Sequence, residues 1–221
     1  METFVIGDIH ARLAALKEVL KKAGFNYKED KLIILGDIID GGNEAKECVG
    51  ELLKIKNKIF IRGNHDQFLI DDGFINKRYH KRIWTSQGGK ATIKSYAKGV
   101  PEAHKQFFLN SVYYFIDDKN RLFVHGGFDV WNNKTVQETP PILLMWDRDI
   151  IDYVKSGKTI PGFKEVFIGH TTTQMYGGVM RPIKYNNLYL LDCGAGWSGK
   201  LCIMNVDTKE FWLSKQQVRP N

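Results

Sequence analysis

Short apolar runs rich in β-branched and aromatic residues alternate with segments of helical period in the first half of the chain, a pattern that predicts βαβ units around a sheet. Thr3 to Ile6 reads as the first strand and ends in Gly7-Asp8-Ile9-His10. Leu13, Leu16, Val19 and Leu20 then share one helical face through Lys22, and Gly24 marks the stop. The cycle repeats with a strand over Leu32 to Leu35 running into Gly36-Asp37, a helix from about Asn43 to Leu53, and a third strand over Ile59 to Ile61 running into Gly63-Asn64-His65. From Trp84 to Leu109 the period is helical but broken by Gly88-Gly89 and by Gly99 with Pro101, which predicts two or three short helices.

Strands dominate the remainder. Val112 to Ile116 and Leu122 to Val124 predict a hairpin around the polar turn Asp117 to Asn120. Further strands are predicted over Val166 to Ile168, Pro182 to Tyr185, Leu188 to Leu191, Leu201 to Val206 and Glu210 to Leu213, and Pro140-Pro141 punctuates a loop. The segments on either side of that loop cannot each bury a core, so residues 1–221 are expected to form a single domain of α/β (α+β) class.

Length and composition agree with one globular core: 221 residues, 43% hydrophobic and 26% charged, without repeats or low-complexity stretches. The net charge of +7 favours phosphate-bearing or anionic partners. Basic residues bunch at Lys77, Arg78, Lys81, Arg82, Lys90, Lys94, Lys98 and Lys105, yet lack the aromatic interleaving of a single-strand binder, so nucleic acid is not the expected partner. Three cysteines without close spacing argue against a disulfide scaffold. The start METFVIGDIHA lacks the apolar core of a signal peptide, and no run is long enough to span a membrane. A cytoplasmic, monomeric protein with reduced thiols is expected.

The chemistry lies in where Asp, Asn and His fall. Asp8 and His10, Asp37 and Asp40, Asn64 and His65, His125, and His170 each follow a short apolar strand, usually beside glycine. In an open α/β sheet the carboxyl ends of the strands face one crevice, so such groups can converge. Four of the six histidines sort this way, and only His80 and His104 lie in basic, helix-like surroundings. A lone Gly-Asp after a strand is ordinary turn chemistry. Five such elements in order are not, because a turn needs neither a histidine nor an Asn-His pair. Imidazole, carboxylate and carboxamide oxygen suit Mn²⁺, Fe or Zn²⁺, with Mn²⁺ favoured here. Two such ions can clamp an in-line displacement at phosphorus and hold a bridging hydroxide as nucleophile. Asp37 is the natural bridge, with Asp8 and His10 completing one ion's shell and Asn64, His125 and His170 the other's.

The motifs Gly7-Asp8-Ile9-His10, Gly36-Asp37-Ile38-Ile39-Asp40, Gly63-Asn64-His65-Asp66, His125-Gly126 and Gly169-His170-Thr171 resemble those of the calcineurin-like metallophosphoesterases. Asp37 and Asp40 three apart, Arg62 before Gly63, and Trp146-Asp147-Arg148 bring the likeness nearest to the compact bacterial and bacteriophage serine/threonine protein phosphatases. The resemblance implies a two-layer β-sandwich flanked by helices, with the metal site at the strand C-terminal ends. It also implies hydrolysis of phosphate esters without a covalent intermediate. Carried over, Asp8, His10, Asp37, Asn64, His125 and His170 are the metal ligands, His65 the general acid, Asp40 the carboxylate that fixes its tautomer, and Arg148 the grip on the phosphoryl oxygens. The chain departs from the pattern at Ala11, where the family usually has Gly, and at Gly41, where it usually has Arg. The expected substrate is a phosphoprotein or small phosphomonoester. The alternatives are a dinucleoside tetraphosphatase or nucleotide phosphodiesterase and, more remotely, a non-catalytic binding module on the same fold.

Overall fold

The computed structural model describes residues 1–75 and 81–217. In chain order its elements are β1 (Thr3–Ile6), α1 (Leu13–Lys22), β2 (Lys31–Ile34), α2 (Ala45–Leu53), β3 (Asn57–Phe60), α3 (Asn64–Phe68), α4 (Lys81–Trp84), α5 (Lys90–Ser95) and α6 (Glu102–Leu109), then β4 (Tyr114–Ile116), β5 (Arg121–Val124), α7 (Pro141–Trp146), α8 (Asp149–Lys155), β6 (Glu165–Ile168), α9 (Thr173–Gly177), β7 (Ile183–Tyr185), β8 (Leu188–Leu190), β9 (Cys202–Asn205) and β10 (Phe211–Leu213). Wide π-helical turns extend α3 over Leu69–Ile75 and join α4 to α5 over Thr85–Gly89.

Among the described residues ten strands form two five-stranded sheets, in the orders β10-β9-β1-β2-β3 and β4-β5-β6-β8-β7. In the first, β1, β2 and β3 run parallel and β9 and β10 close one side antiparallel. In the second, β5, β6 and β8 run parallel, with β4 and β7 antiparallel at the edges. Side chains alternate across a strand, so a strand covered on both faces reads as an unbroken apolar run. Val5, Ile33 and Leu35 of the first sheet meet Phe123, Phe167, Tyr189 and Leu191 of the second. The intervening positions, Phe4, Ile6, Leu32 and Ile34, turn outward to pack under helices with Leu16, Val49 and Phe108. On the far side, Leu122, Val124, Val166 and Ile168 pack against Leu144, Ile151 and Val154 of α7 and α8. The result is a sandwich with helices on both outer faces.

The expected sandwich is therefore present, and each expected strand is found within one or two residues of its predicted range. Leu35, Ile61 and Leu191 fall just outside the strands because the chain there is already turning into the site. Helices α3, α7, α8 and α9 were not anticipated. Pro140-Pro141 is a helix start as well as a loop end: Pro141 occupies the first helical position, where its missing N–H costs nothing. The stretch from Trp84 to Leu109 contains the expected short helices, joined by a π-helical turn in which Gly88 has φ 102°. Lys77, Arg78 and His80 of the basic run lie outside the described residues. His104 is buried against the Tyr96 hydroxyl at 2.9 Å, a structural role for one of the two remaining histidines. Cys48, Cys193 and Cys202 are free and buried.

A row of aromatic rings crosses the second sheet's inner face, with centroids of Phe123 and Phe167 4.9 Å apart and those of Phe167 and Tyr189 4.8 Å apart. Phe167 is fully buried and lies three residues before His170. Phe167→Ala is expected to cost about 3–5 kcal/mol through lost burial and the cavity left between the sheets. Equilibrium urea unfolding measures it, and a cost below about 1 kcal/mol would mean that the sheets re-close over the gap.

Candidate metal and catalytic site

The parallel strands of both sheets end at one edge of the sandwich, and each site motif is the turn that follows such an end. After β1 the chain turns through Ile9 and His10, whose N–H groups both donate to the Asp37 carbonyl at 3.0 and 2.9 Å. Asp37 follows β2 by three residues, and Asn64 opens α3 after β3. His125 follows β5 directly, and Gly169-His170 follows β6. The Gly169 N–H donates to the His125 carbonyl at 2.9 Å, tying these turns together. Gly169 is needed for closeness, since a Cβ there would lie 2.2 Å from Asp8 Oδ1. His10, Ala11, Asp37, Asp40 and His170 have φ between 47° and 68°, a left-handed backbone that side-chain-bearing residues rarely adopt. Ala11, the minor departure from the family pattern, holds this conformation despite its Cβ.

All six residues expected as ligands meet at this edge and are buried. One ligand atom each from Asp8, His10 and Asp37 lies within 4.8 Å of the others, and so do those from Asp37, His125 and His170. Asp37 belongs to both groups. Asn64 Oδ1 approaches His125 Nε2 to 3.1 Å, and Asp37 Oδ2 approaches the same nitrogen to 3.4 Å.

The donor chemistry fits cations in these two groups. His125 Nδ1 donates to the Leu35 carbonyl at 2.6 Å and His10 Nδ1 to the Ile39 carbonyl at 3.3 Å, which turns the lone pair of each Nε2 inward. Burial disfavours a charged His125, but Asp37 outweighs it and raises His125, which favours a proton on Nε2 between Asn64 and Asp37, the place that a cation would take. The buried His170 Nε2 has no hydrogen-bond partner. Burial and neighbouring imidazoles lower His10 to about 4 and hold His170 far below the usual histidine range, so both are neutral, as ligation requires. Burial works against the charge of Asp37, but His125, His65 and His10 hold it well below the usual carboxylate range. Asp8 is pushed up by burial and by the charges of Asp192 and Asp37, repulsion that a shared cation relieves.

His65 stands beside these groups. Its Nδ1 donates to Asp40 Oδ2 at 2.8 Å, which leaves Nε2 for the cleft. Burial disfavours its charge, yet Asp37 and Asp40 outweigh it and raise His65 to about 9 in the metal-free protein. The completely buried Asp40 carboxylate also accepts from Trp84 Nε1 at 2.9 and 3.1 Å and from the Thr92 hydroxyl at 2.6 Å. Arg148, at the start of α8, and Trp146 line the cleft opposite, a cavity of about 720 Å³ that also borders His10, Asp37, Asn64, His65 and His170. All nine residues singled out in the sequence thus lie in or around one depression.

Two participants were overlooked. The buried Asp66 accepts from the backbone N–H groups of Asp37, Ile38 and Gly63 at 2.7, 3.0 and 3.0 Å, fixing the turn that carries Asp37 to the one that carries Asn64. The signal was available: an acidic residue at the third position of a helix that opens on Gly-Asn-His. Asp192, buried beside Asp8, follows β8 by two residues, at the same end of its strand as the recognised residues.

Comparison with known proteins agrees with this geometry. Among curated relatives, serine/threonine-protein phosphatase 1 of Salmonella typhimurium is 23% identical over 92% of this chain and 91% of its own length. The symmetrical bis(5'-nucleosyl)-tetraphosphatase of Buchnera aphidicola is 24% identical over 98% of both. A candidate diadenosine tetraphosphatase of solved structure superposes with a TM-score of 0.72 at 16% identity, covering 96% of this chain and 92% of that one. A protein serine/threonine phosphatase from Saccharomyces cerevisiae does so with a TM-score of 0.64 at 17% identity, covering 100% of this chain and 82% of that one. Residues 1–179, from β1 through α9, match the calcineurin-like phosphoesterase family. The chain belongs to that family and is a metal-dependent phosphoester hydrolase.

Proposed function

We propose that the chain hydrolyses phosphomonoesters, most simply those of phosphorylated serine or threonine, with two divalent ions bound at one end of its sandwich. Asp8, His10 and Asp37 would hold one ion and Asp37, Asn64, His125 and His170 the other, with Mn²⁺ the favoured metal for this ligand set. The observation that carries the reading is that one buried carboxylate, Asp37, belongs to both ligand groups while the His65–Asp40 pair stands alongside. When bound, such ions activate water and neutralise phosphoryl oxygens. The protein's own groups do the rest. Arg148 offers a planar fork to the phosphoryl oxygens. His65, held by Asp40 through Nδ1, donates the Nε2 proton to the departing oxygen.

A second reading is favoured by an adjoining cavity of about 420 Å³. It shares Arg148, His170, Thr172 and Trp197 with the main cleft and continues past Gln174 and Met175. Met175 and Trp197 are exposed, and the apolar surface they offer suits a larger second group such as the nucleoside of a dinucleoside polyphosphate. The test is kcat/KM on a phosphoserine peptide, p-nitrophenyl phosphate, its bis-ester and diadenosine tetraphosphate. A clear preference for the tetraphosphate overturns the monoester reading in favour of the second.

Elemental analysis of protein purified with Mn²⁺ should find about two ions per chain, and chelation should abolish turnover. Asp37→Asn should lower occupancy of both sites together, because a neutral amide cannot serve two cations. A fully active protein that never exceeds one ion per chain contradicts the shared-ligand assignment.

His65→Asn is expected to leave metal content intact and to lower kcat by about 10² to 10³. The loss should be smaller on p-nitrophenyl phosphate than on phenyl phosphate, whose leaving oxygen needs more protonation. Equal losses on the two esters would remove His65 from that role.

Gly41 stands where the family usually has arginine, and it lines the cleft with φ +76°. A Cβ there would lie 3.2 Å from the Gly196 carbonyl oxygen. Gly41→Ala should therefore lose stability, by about 1–2 kcal/mol for the left-handed backbone, seen as a lower Tm. Gly41→Arg carries that same strain, and its KM on a phosphomonoester is to be compared with the alanine variant's. A fall of up to about tenfold relative to alanine would show that a second guanidinium recovers phosphate binding, whereas no difference makes Gly41 a turn residue only.

A further inference from the structure

We propose that Trp84 and Thr92 are positioning residues for the His65–Asp40 pair. The indole N–H and the threonine hydroxyl lock the Asp40 carboxylate in the one orientation that aims His65 at the leaving oxygen. The proposal rests on the reading of His65 as proton donor.

Asp40 has no exposure to solvent, so no water can complete its hydrogen bonds. A carboxylate held only by His65 at Oδ2 would be free to turn about its last side-chain bond. The protein closes off that freedom from two sides. Trp84 Nε1 straddles both oxygens, at 2.9 Å from Oδ2 and 3.1 Å from Oδ1. The Thr92 hydroxyl donates to Oδ1 at 2.6 Å and accepts from the Asp40 backbone N–H at 3.1 Å, tying carboxylate and main chain to the same atom. With Oδ1 occupied by threonine and both oxygens spanned by the indole, Oδ2 is left in line with His65 Nδ1.

Both donors come from the α4–α5 segment, and its shape serves this contact. Trp84 is buried at the end of α4, and Thr92 lies in the first turn of α5. The π-helical turn between them brings the two side chains onto one carboxylate. Gly89 lies against the indole, and a Cβ there would come within 2.4 Å of Trp84 Cδ1 and Nε1. Its φ of −65° is ordinary helix, so what glycine supplies at this position is room for the ring.

The test uses the full-length protein loaded with Mn²⁺ and compares phenyl phosphate with p-nitrophenyl phosphate. Trp84→Phe keeps the ring's bulk but deletes the N–H. It should lower kcat on phenyl phosphate by about tenfold, the scale of one hydrogen bond to a charged group, and considerably less on p-nitrophenyl phosphate, with KM and metal content unchanged. Gly89→Ala keeps the N–H but displaces it, and should reproduce the same bias. In a His65→Asn background, Trp84→Phe should add nothing. An independent readout is the Trp84 indole proton in ¹H–¹⁵N spectra of the metal-free protein, expected downfield, slow to exchange with solvent, and shifted by Asp40→Asn. Equal losses on both esters, an undiminished effect on top of His65→Asn, or an indole proton that exchanges freely would each overturn the proposal. If His65→Asn itself shows no leaving-group bias, the proton-donor reading fails first and takes this proposal with it. If His65→Asn shows the bias and Trp84→Phe does not, only the positioning role is lost.

Discussion

A carboxylate taken out of water needs compensation from every direction, and Asp37 is buried with Asp8, Asp66 and Asp192 also buried close by. Like charges at this spacing inside a protein repel strongly enough to raise each other's pKa values or to unfold the site. Two kinds of compensation are built in. Backbone N–H groups take up Asp66, and they are the N–H groups of the turns that carry Asp37 and Asn64. Imidazoles surround Asp37 itself, with His125 Nε2 at 3.4 Å and His10 Nε2 at 3.9 Å. The remaining excess of inward-facing lone pairs would be matched by cations, since the same atoms fall into two groups that could each hold an ion.

That arrangement requires the strand ends of two separate sheets to meet. Asp8, Asp37 and Asn64 belong to the first sheet, His125, His170 and Asp192 to the second. The inner faces of the sheets, from Val5 and Ile33 to Phe123 and Phe167, fix their separation, and the turns above inherit it. The site is thus as rigid as the packing beneath it. Left-handed backbone at His10, Asp37, Asp40 and His170 is sustained by this packing and by bonds such as Ile9 and His10 N–H to the Asp37 carbonyl.

Much of this was legible in the sequence because strands covered on both faces read as plain apolar runs, and because polar residues that interrupt such runs at their carboxyl ends have few structural reasons to be histidine. The strands were found by that logic, and so were eight polar residues that the fold brings to one edge, from Asp8 to His170, whereas Arg148 followed only from the family resemblance. Helix α3 and helices α7 to α9 were missed for an equally physical reason. They are one or two turns long, so a helical period has little room to show, and the Pro140-Pro141 pair that starts α7 is also what ends a loop. Asp66 was visible within a motif, but its role is to bond main-chain N–H groups 28 and 29 residues away, which no local pattern encodes. Trp84 and Thr92 lie 44 and 52 residues from Asp40 and are likewise invisible until the fold is known.

The departure at Gly41 gains meaning from the same segment. Gly88, in the π-helical turn between α4 and α5, packs against it: a Cβ on Gly88 would lie 2.9 Å from the Gly41 N. Thr85, Ser86, Gln87 and Lys90 of this segment line the cleft together with Gly41. An arginine at 41 would have to share that space with them. The chain has instead a close contact between two backbones, which brings the α4–α5 segment near enough for Trp84 and Thr92 to reach Asp40. A cleft wall without a cation at position 41 and tight seating of the segment that holds Asp40 are therefore two consequences of a single small residue. Lys90, exposed, is a cation that the same segment places on the cleft wall beside Gly41.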